Sequence, residues 1–507
     1  MLKDKILIWI DQDIKQYCLS YYLKDELDAD FFAIIDVTNE TRDFFANQKL
    51  INFKKKWFYH DFILPLKKKP DTEFLSLFEK KYGINLWKLT INDRLLYGFN
   101  DFYKFSKNEI LSILENECRF FEKVLSEISP DFVIMHEPYN HQDELFYELC
   151  KSKNIKILTS FSSTFGYKCE ISETVHRVDN LESQLENIKK IPLHRDFKEL
   201  RDYLESFKIS EKIKKINTDP FGNKSNILNA AMNYLFKIKN KNQKTHFSYF
   251  GRSKLRVILN SINGSLKTRL RWKYVDKHLS KDVDYSKKFI FYPLHVEQER
   301  STLIATPFYT NDLEFIKNIA KSIPIDYILY VKEHPSQFTR HWRQKFFYEE
   351  IKKIPNVHLI HPHIPALKLI KNSSLVITRS GTVALEAAFY KKPSICCTDF
   401  DYTILESVER MRSIEELPNL IQKSLRKNFY AHDLDSYVSL IDNNTFNFDL
   451  TDFDAKIVKH FFHGGRLVDV KITDLQMKIF LENNKNSLQI FTKFHIKKID
   501  HFKNQIG

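Results

Sequence analysis

Four apolar runs in the second half of this 507-residue chain end directly in side chains that can do chemistry. "KFIFY" (288–292) leads into "PLHVEQE", which delivers His295, Glu297 and Glu299, and "YILYV" (327–331) leads into Lys332, Glu333, His334 and Pro335. "VHLI" (357–360) leads into His361, Pro362 and His363, and "LVIT" (375–378) into Arg379, Ser380, Gly381 and Thr382. Ligands of open α/β sheets bind at the carboxyl ends of the strands, so cations, imidazoles and small hydroxyl residues there suit an anion such as phosphate. Lys332 and His334 lie two apart, so in an extended segment both project to one side and can reach one phosphate, while Glu333 projects to the other. A polar surface turn closed by Pro335 is the competing reading.

"RSGTVALEAA" (379–388) runs a small loop into a helix, whose first-turn N–H groups and dipole favour a negative ligand. Gly381 permits close backbone approach, Ser380 and Thr382 add hydroxyls, and Glu386, one turn in, can accept from ribose hydroxyls. An ordinary helix cap explains Ser or Thr at this place equally well. The histidines at 295, 334, 361 and 363 could hold a metal, but H-P-H is not a ligand spacing, and no metal is expected. Asp399 and Asp401 of "DFD" are a minor alternative.

These loops need strands to present them. From 288 to 397 the apolar runs alternate with helical stretches of about 8–13 residues, ending at "SICC" (394–397), which is the pattern of a parallel sheet covered on both faces. The first 160 residues repeat it. "ILIWI" (6–10) and "FAIIDV" (32–37) bracket a helix, a long helix opens at a capping-box candidate, Ser106 to Glu109, and "PDFVIMHEP" (130–138) and "IKILTS" (155–160) bracket another helix. The expected fold is therefore α/β: two Rossmann-like doubly wound domains facing a cleft, with a helical insertion between them. The expected boundaries are 1–165, a lysine-rich insertion or linker 166–285, a second Rossmann-like domain 286–432, and a partly helical extension 433–507. "ILIWI" is followed by "DQDIKQYC" without glycine, and the chain has only ten glycines, so neither a dinucleotide fingerprint nor a P-loop exists.

Net charge is +14, which favours an anionic partner. Eleven Lys and Arg and no Asp or Glu fall between Lys237 and Lys273, interleaved with Phe247, Tyr249, Phe250 and Trp272. This run is read as a solvated helical face or as an anionic membrane surface contact. Nucleic acid is not expected, since no recognition module is visible. The six cysteines show no C-x-x-C spacing and are read as reduced thiols. The N-terminus has only five apolar residues between charges and no run of about 18 apolar residues occurs, so a cytoplasmic protein is expected, peripheral on the inner face of the membrane if the basic run binds it.

Taken in order, "FYPLHVEQERSTLIATPFYTNDLEFIKNIAKSIPIDYILYVKEHPSQFTR", "IPNVHLIHP" and "SSLVITRSGTVALEAAFYKKPSI" resemble the capsule and surface polysaccharide biosynthesis family of GT-B glycosyltransferases, a wider group that includes bacterial Kdo transferases and sialyltransferases with an H-P motif. The resemblance is specific over 288–400 and weaker over 86–99 and 130–158. It implies that Lys332 and His334 hold the donor's phosphate, that Ser380, Gly381 and Thr382 form the loop beside it, with His295 in the same set, and that Glu386 takes the ribose. Arg379 departs from the smaller or neutral residue expected before that loop. For the catalytic carboxylate the candidates are Glu137 and Asp143, which follow "FVIMH" and open the next helix; His334 is counted with them. The activity implied is sugar transfer from a nucleotide-sugar donor, such as a CMP-linked one, to a capsular or other surface glycan or glycolipid acceptor, with no cofactor beyond the donor and no metal. The alternatives are a CDP-polyol phosphotransferase of teichoic-acid type and a basic nucleic-acid-binding protein.

Overall fold

The structure, a computed structural model, describes residues 3–192, 195–207, 234, 240–340, 343–465 and 467–506. The break at 218–226 and the first residues of the basic run, 237–239, lie outside the described residues. The strands in chain order are β1 (Asp4–Ile10), β2 (Ala29–Ile35), β3 (Lys55–Phe58), β4 (Phe132–His136), β5 (Lys156–Ser162), β6 (Cys169–Ser172), β7 (Phe289–Pro293), β8 (Ile328–Lys332), β9 (Val357–Ile360), β10 (Leu375–Ile377), β11 (Ser394–Cys396), β12 (Val408–Arg410) and β13 (Thr445–Phe446). Seven helices matter here: α1 (Lys15–Glu26), α2 (Lys107–Ile128), α3 (His141–Ser152), α4 (Lys254–His278), α5 (Val383–Phe389), α6 (Ala431–Asn444) and α7 (Lys485–Ile506).

The first sheet runs β13-β6-β5-β4-β1-β2-β3 and the second β12-β11-β10-β7-β8-β9. β1 to β5 pair in parallel, as do all six strands of the second sheet. Counted from each domain's own first strand, both follow the doubly wound order 3-2-1-4-5, extended by a sixth strand in the second sheet. The chain is thus α/β with two Rossmann-like domains. Strand order reverses between β1 and β4 in one sheet and between β7 and β10 in the other, and those two switch points are where crevices open.

Why these segments are strands is plain from where their side chains go. Successive residues of a strand face opposite sides. Ile6, Ile8 and Ile10 of β1 enter one core with α1 and α7, while Leu7 and Trp9 enter another with α2 and α3. β7 divides in the same way, Ile290 and Tyr292 to one core and Phe289 and Phe291 to the other. A sheet buried on both faces demands unbroken apolar runs, which is what "ILIWI" and "FIFY" are. α2 opens with the expected capping box, Ser106 and Glu109 satisfying each other's backbone N–H.

Two stretches bind the domains together. β6, near the start of the lysine-rich middle segment, pairs antiparallel with β5, and β13 pairs antiparallel with β6. The residues after β13 return to the first domain, where Phe446, Phe448, Phe453, Phe480, Phe491 and Phe502 join the β1 core. α6 helps close a shared apolar cluster in which Phe165 and Val178 of the first half meet Ala384, Leu385 and Phe389 of the second. α4 spans the two. Phe247 and Phe250, just before it, pack on the first domain, and Trp272, Val275 and Leu279 pack on the second.

Candidate active site

The crevice of the second domain is built on β7, β8 and β10. His295 follows β7, is buried, and its Nε2 accepts from Thr378 Oγ1 at 3.0 Å and from the Ser380 backbone N–H at 3.4 Å. Burial first, then the charge of Arg379, pulls its pKa down to about 3, so the ring is neutral, and Nε2 as acceptor leaves the proton on Nδ1. His295 Nδ1 is buried with no protein partner among the described residues. A buried donor without an acceptor is unfavourable in the empty protein and becomes useful when a ligand supplies one. Gly381 makes room for this packing: a Cβ there would stand 3.0 Å from Thr378 Oγ1 and 3.3 Å from His295 Nε2, tight enough that these side chains would have to give by a few tenths of an ångström.

Lys332, at the end of β8, is 4% exposed, and its Nζ donates to the Glu333 carbonyl at 3.3 Å. Burial depresses its pKa to about 8, with Glu333 opposing. Among the described residues no carboxylate pairs with it, which leaves a desolvated cation awaiting an anion. His334 is half-buried; its Nδ1 accepts from the Ser336 N–H at 3.1 Å, and burial and then Lys332 lower its pKa to about 4, so it too is neutral. Ser380 Oγ donates to the Ser301 carbonyl at 2.7 Å and Thr382 Oγ1 to Glu386 Oε1 at 3.1 Å. Both hydroxyls are thus engaged within the protein. Burial raises the pKa of Glu386, and α5, which this loop opens, is seven residues long.

Beneath these loops lies a charge network. Arg343 Nη1 reaches Glu333 Oε1 at 2.6 Å and its Nη2 reaches Asp312 Oδ2 at 2.8 Å, while Arg379 Nη2 stands 2.9 Å from Asp312 Oδ1. Tyr348 and Tyr292 donate to Glu333 and Asp312. Glu333 therefore points away from Lys332 and braces the strand end. Arg379, out of place as a phosphate ligand, is fully buried, pairs with Asp312 and donates through Nη1 to the Tyr309 carbonyl, so its role is to hold the loop. Of the DFD aspartates, Asp399 is bridged to Arg177 and Arg410, and Asp401 is buried against Tyr437.

The first domain's crevice is acidic. Asp11, after β1, stands 2.8 Å from His136 Nε2 at the end of β4, and Asp36, after β2, stands 2.9 Å from His60. Burial opposes charging His136, yet Asp11 overrides it and lifts its pKa to about 10. The loop "DQDI" turns back into α1 through Ile14, a branched residue at φ 51° in the left-handed region, with Ile14 N donating to the Asp11 carbonyl. This is where a dinucleotide fold places glycine, and Ile there stores on the order of 1–3 kcal/mol of strain, a mark of functional sites. Asp13 beside it has its pKa pushed up to about 7, first by the charge of Asp11 and then by burial.

The two sequence candidates in this domain part company. Burial would raise the pKa of Glu137, but His176 at 2.9 Å and Arg300 at 3.0 Å hold it down to about 2. Arg300 follows the β7 loop and also donates to the Pro138 carbonyl, so Glu137 ties the carboxyl edges of the two sheets together. Asp143 accepts from the Tyr139 and Asn140 N–H groups, each at 3.1 Å, as the capping carboxylate of α3, and burial pushes its pKa up to about 6. Sequence reasoning missed Asp11, Asp13, His136 and Arg300; the signal for the first two was a pair of carboxylates directly after a buried strand.

Residues 198–404 match the family model described as capsule polysaccharide biosynthesis protein. The motifs that carry the resemblance, 288–400, fall within that segment, and so do Lys332, His334, His295 and the 380–386 loop. The first-domain carboxylates lie outside it. No curated protein matches. Among solved structures, the UDP-GlcNAc 2-epimerase of Methanocaldococcus jannaschii is 14% identical with a TM-score of 0.25 over 87% of this chain and 99% of that one. The epimerase of Neisseria meningitidis is 14% identical with 0.26 over 87% and 99%. Thermosulfurimonas dismutans KpsC, a beta Kdo 2,7 transferase, is 12% identical with 0.29 over 72% and 93%. At such values the likenesses carry no argument, and the architecture rests on the sheets described above.

Proposed function

We propose that the protein is a glycosyltransferase of GT-B type that moves a sugar from a nucleotide donor, with a CMP-linked sugar the first to test, onto a capsular or other surface polysaccharide. The observation that carries this reading is Lys332, a buried lysine at a strand end with no carboxylate partner among the described residues, in a crevice with two neutral histidines. The donor's phosphate supplies the missing anion; the Lys332 ammonium and the His295 Nδ1–H then offset the charge that builds on it as the glycosidic bond to phosphate breaks. On the facing wall Asp13, whose pKa of about 7 suits proton transfer near neutrality, takes the proton from the acceptor hydroxyl as that oxygen bonds to the sugar carbon. Glu137, held ionised by His176 and Arg300, is a poor proton acceptor and a good domain tie. Phosphate charge met by the Lys332 ammonium and the His295 N–H needs no metal.

Thermal-shift titration with CMP, UDP, GDP and CDP tests the reading, because a ligand that binds only the folded state stabilises it. One of these should raise Tm in the native protein and fail to do so in Lys332→Ala. No shift with any of the four would remove the proposal, and turnover of CDP-glycerol in place of a nucleotide sugar would convert it to phosphopolyol transfer.

A further inference from the structure

α4 is a 25-residue helix that shows almost all of itself to solvent. Of its residues only Gly264 and Val275 are buried. Leu255, Leu259, Ile262, Leu266 and Leu270 are 54–68% exposed, and their spacings of four, three, four and four put them in one stripe. At 100° per residue that stripe lies opposite Gly264 and Val275, the side turned to the protein. An open groove of about 450 Å³, lined by Asp101, Phe102, Arg256, Leu259, Ile262 and Leu266, runs along its flank, so the loop nearby does not cover it. Five large apolar side chains in a row on a soluble face lose free energy to water unless something takes them up.

The charges beside the stripe say what. Arg269 borders it on one side and Arg256 and Lys267 on the other, and Lys273 continues its line. Lys267, Arg269 and Lys273 make no ion pair among the described residues, and no acid occurs from 237 to 273. Among the described residues no helix is long and apolar enough to cross a membrane. We infer that α4 lies flat on an anionic bilayer, its leucine stripe in the boundary between headgroups and acyl chains and its Lys and Arg among the lipid phosphates. A protein partner would need acidic and apolar surface together along about 37 Å, the length of the helix; a bilayer offers both everywhere. The inference stands apart from the reaction proposed above and survives its failure.

The test is sedimentation of the full-length protein with phosphatidylcholine vesicles and with vesicles that also contain phosphatidylglycerol. Native protein should sediment with the second kind only, and less as salt rises. Each Lys or Arg near an anionic surface contributes roughly fivefold, so Lys267→Glu with Arg269→Glu should weaken binding at least about 25-fold. Leu259→Asp with Leu266→Asp should abolish it at unchanged melting temperature, which shows that the fold survives. Equal sedimentation with both vesicle types, or full binding by the leucine variant, overturns the inference. A dimer that the leucine variant dissociates, without vesicle binding, replaces the bilayer with a second copy of the chain.

Discussion

The two switch points sit at equivalent places in two similar sheets, yet their charges are balanced in opposite ways. In the first domain Asp11 has His136, Asp36 has His60, and Glu137 has His176 and Arg300, while Asp13 and Asp143 have no ion-pair partner among the described residues. In the second, Glu333 and Asp312 are consumed by Arg343 and Arg379, and Lys332 has no carboxylate partner among the described residues. Among the described residues the first wall keeps carboxylates without a cation and the second keeps an ammonium without a carboxylate. A lone carboxylate near neutrality can move a proton, and a lone buried ammonium can hold a phosphate; the same scaffold supplies either by choosing which partner to omit.

Breaking the acidic side should have the largest effect. Asp13→Asn should slow transfer by roughly 10²–10⁴-fold while the nucleotide-induced thermal shift stays, because the base acts after binding. Native turnover in that variant would return the proton-transfer role to Asp143. On the other wall, Lys332→Met should cost about 3 kcal/mol of transition-state stabilisation, near a hundredfold, and lose the thermal shift as well. Its stability effect runs the other way. Because the folded protein lowers the lysine's pKa to about 8 from 10.5, folding resists its charge below pH 8. The empty native protein should gain stability as pH rises from about 8 to about 10.5, whereas Lys332→Met should show no such gain; parallel urea midpoints across that window would contradict the desolvation.

A finer cut uses Asp11, whose charge is the leading reason that Asp13 titrates near 7. In Asp11→Asn the acid limb of the rate profile should move to lower pH, toward ordinary carboxylate values, while an unmoved limb would assign the titration elsewhere. His334→Ala should lose about tenfold, the scale of one hydrogen bond from a neutral ring. The smallest expected effect is none: dialysis against EDTA should leave turnover intact, and recovery only on adding a divalent cation would require a metal in the donor site.

How much of this could be read beforehand depended on distance along the chain. Strands buried on both faces spell themselves as apolar runs, and the residues after β7, β8 and β10 follow those runs by one to five positions, so that crevice was legible. Arg379 was not, because its partner Asp312 comes from a different helix and its companion Arg343 from a third segment. Asp11 and Asp13 went unclaimed because the loop lacks the glycine that normally advertises a ligand turn; the structure accepts a strained Ile14 in its place. β6 and β13, four and two residues long, carry no period to detect.

The return of the chain to the first domain has a consequence for synthesis. β1 and α1 emerge from the ribosome before the second domain, yet α7 packs on α1, and Phe446 pairs with Cys169 across 277 positions of sequence. Until those late segments arrive, one face of the first sheet is only partly covered, by α1 and the helix that carries Phe44 and Phe45, and the whole second domain can fold meanwhile. Late-made helices close an early-made core. Such long-range closure is slow and leaves apolar strand surface exposed in the interim. A nascent chain of this architecture therefore has reason to engage a holding chaperone early, and a fragment ending near residue 165 should aggregate instead of folding.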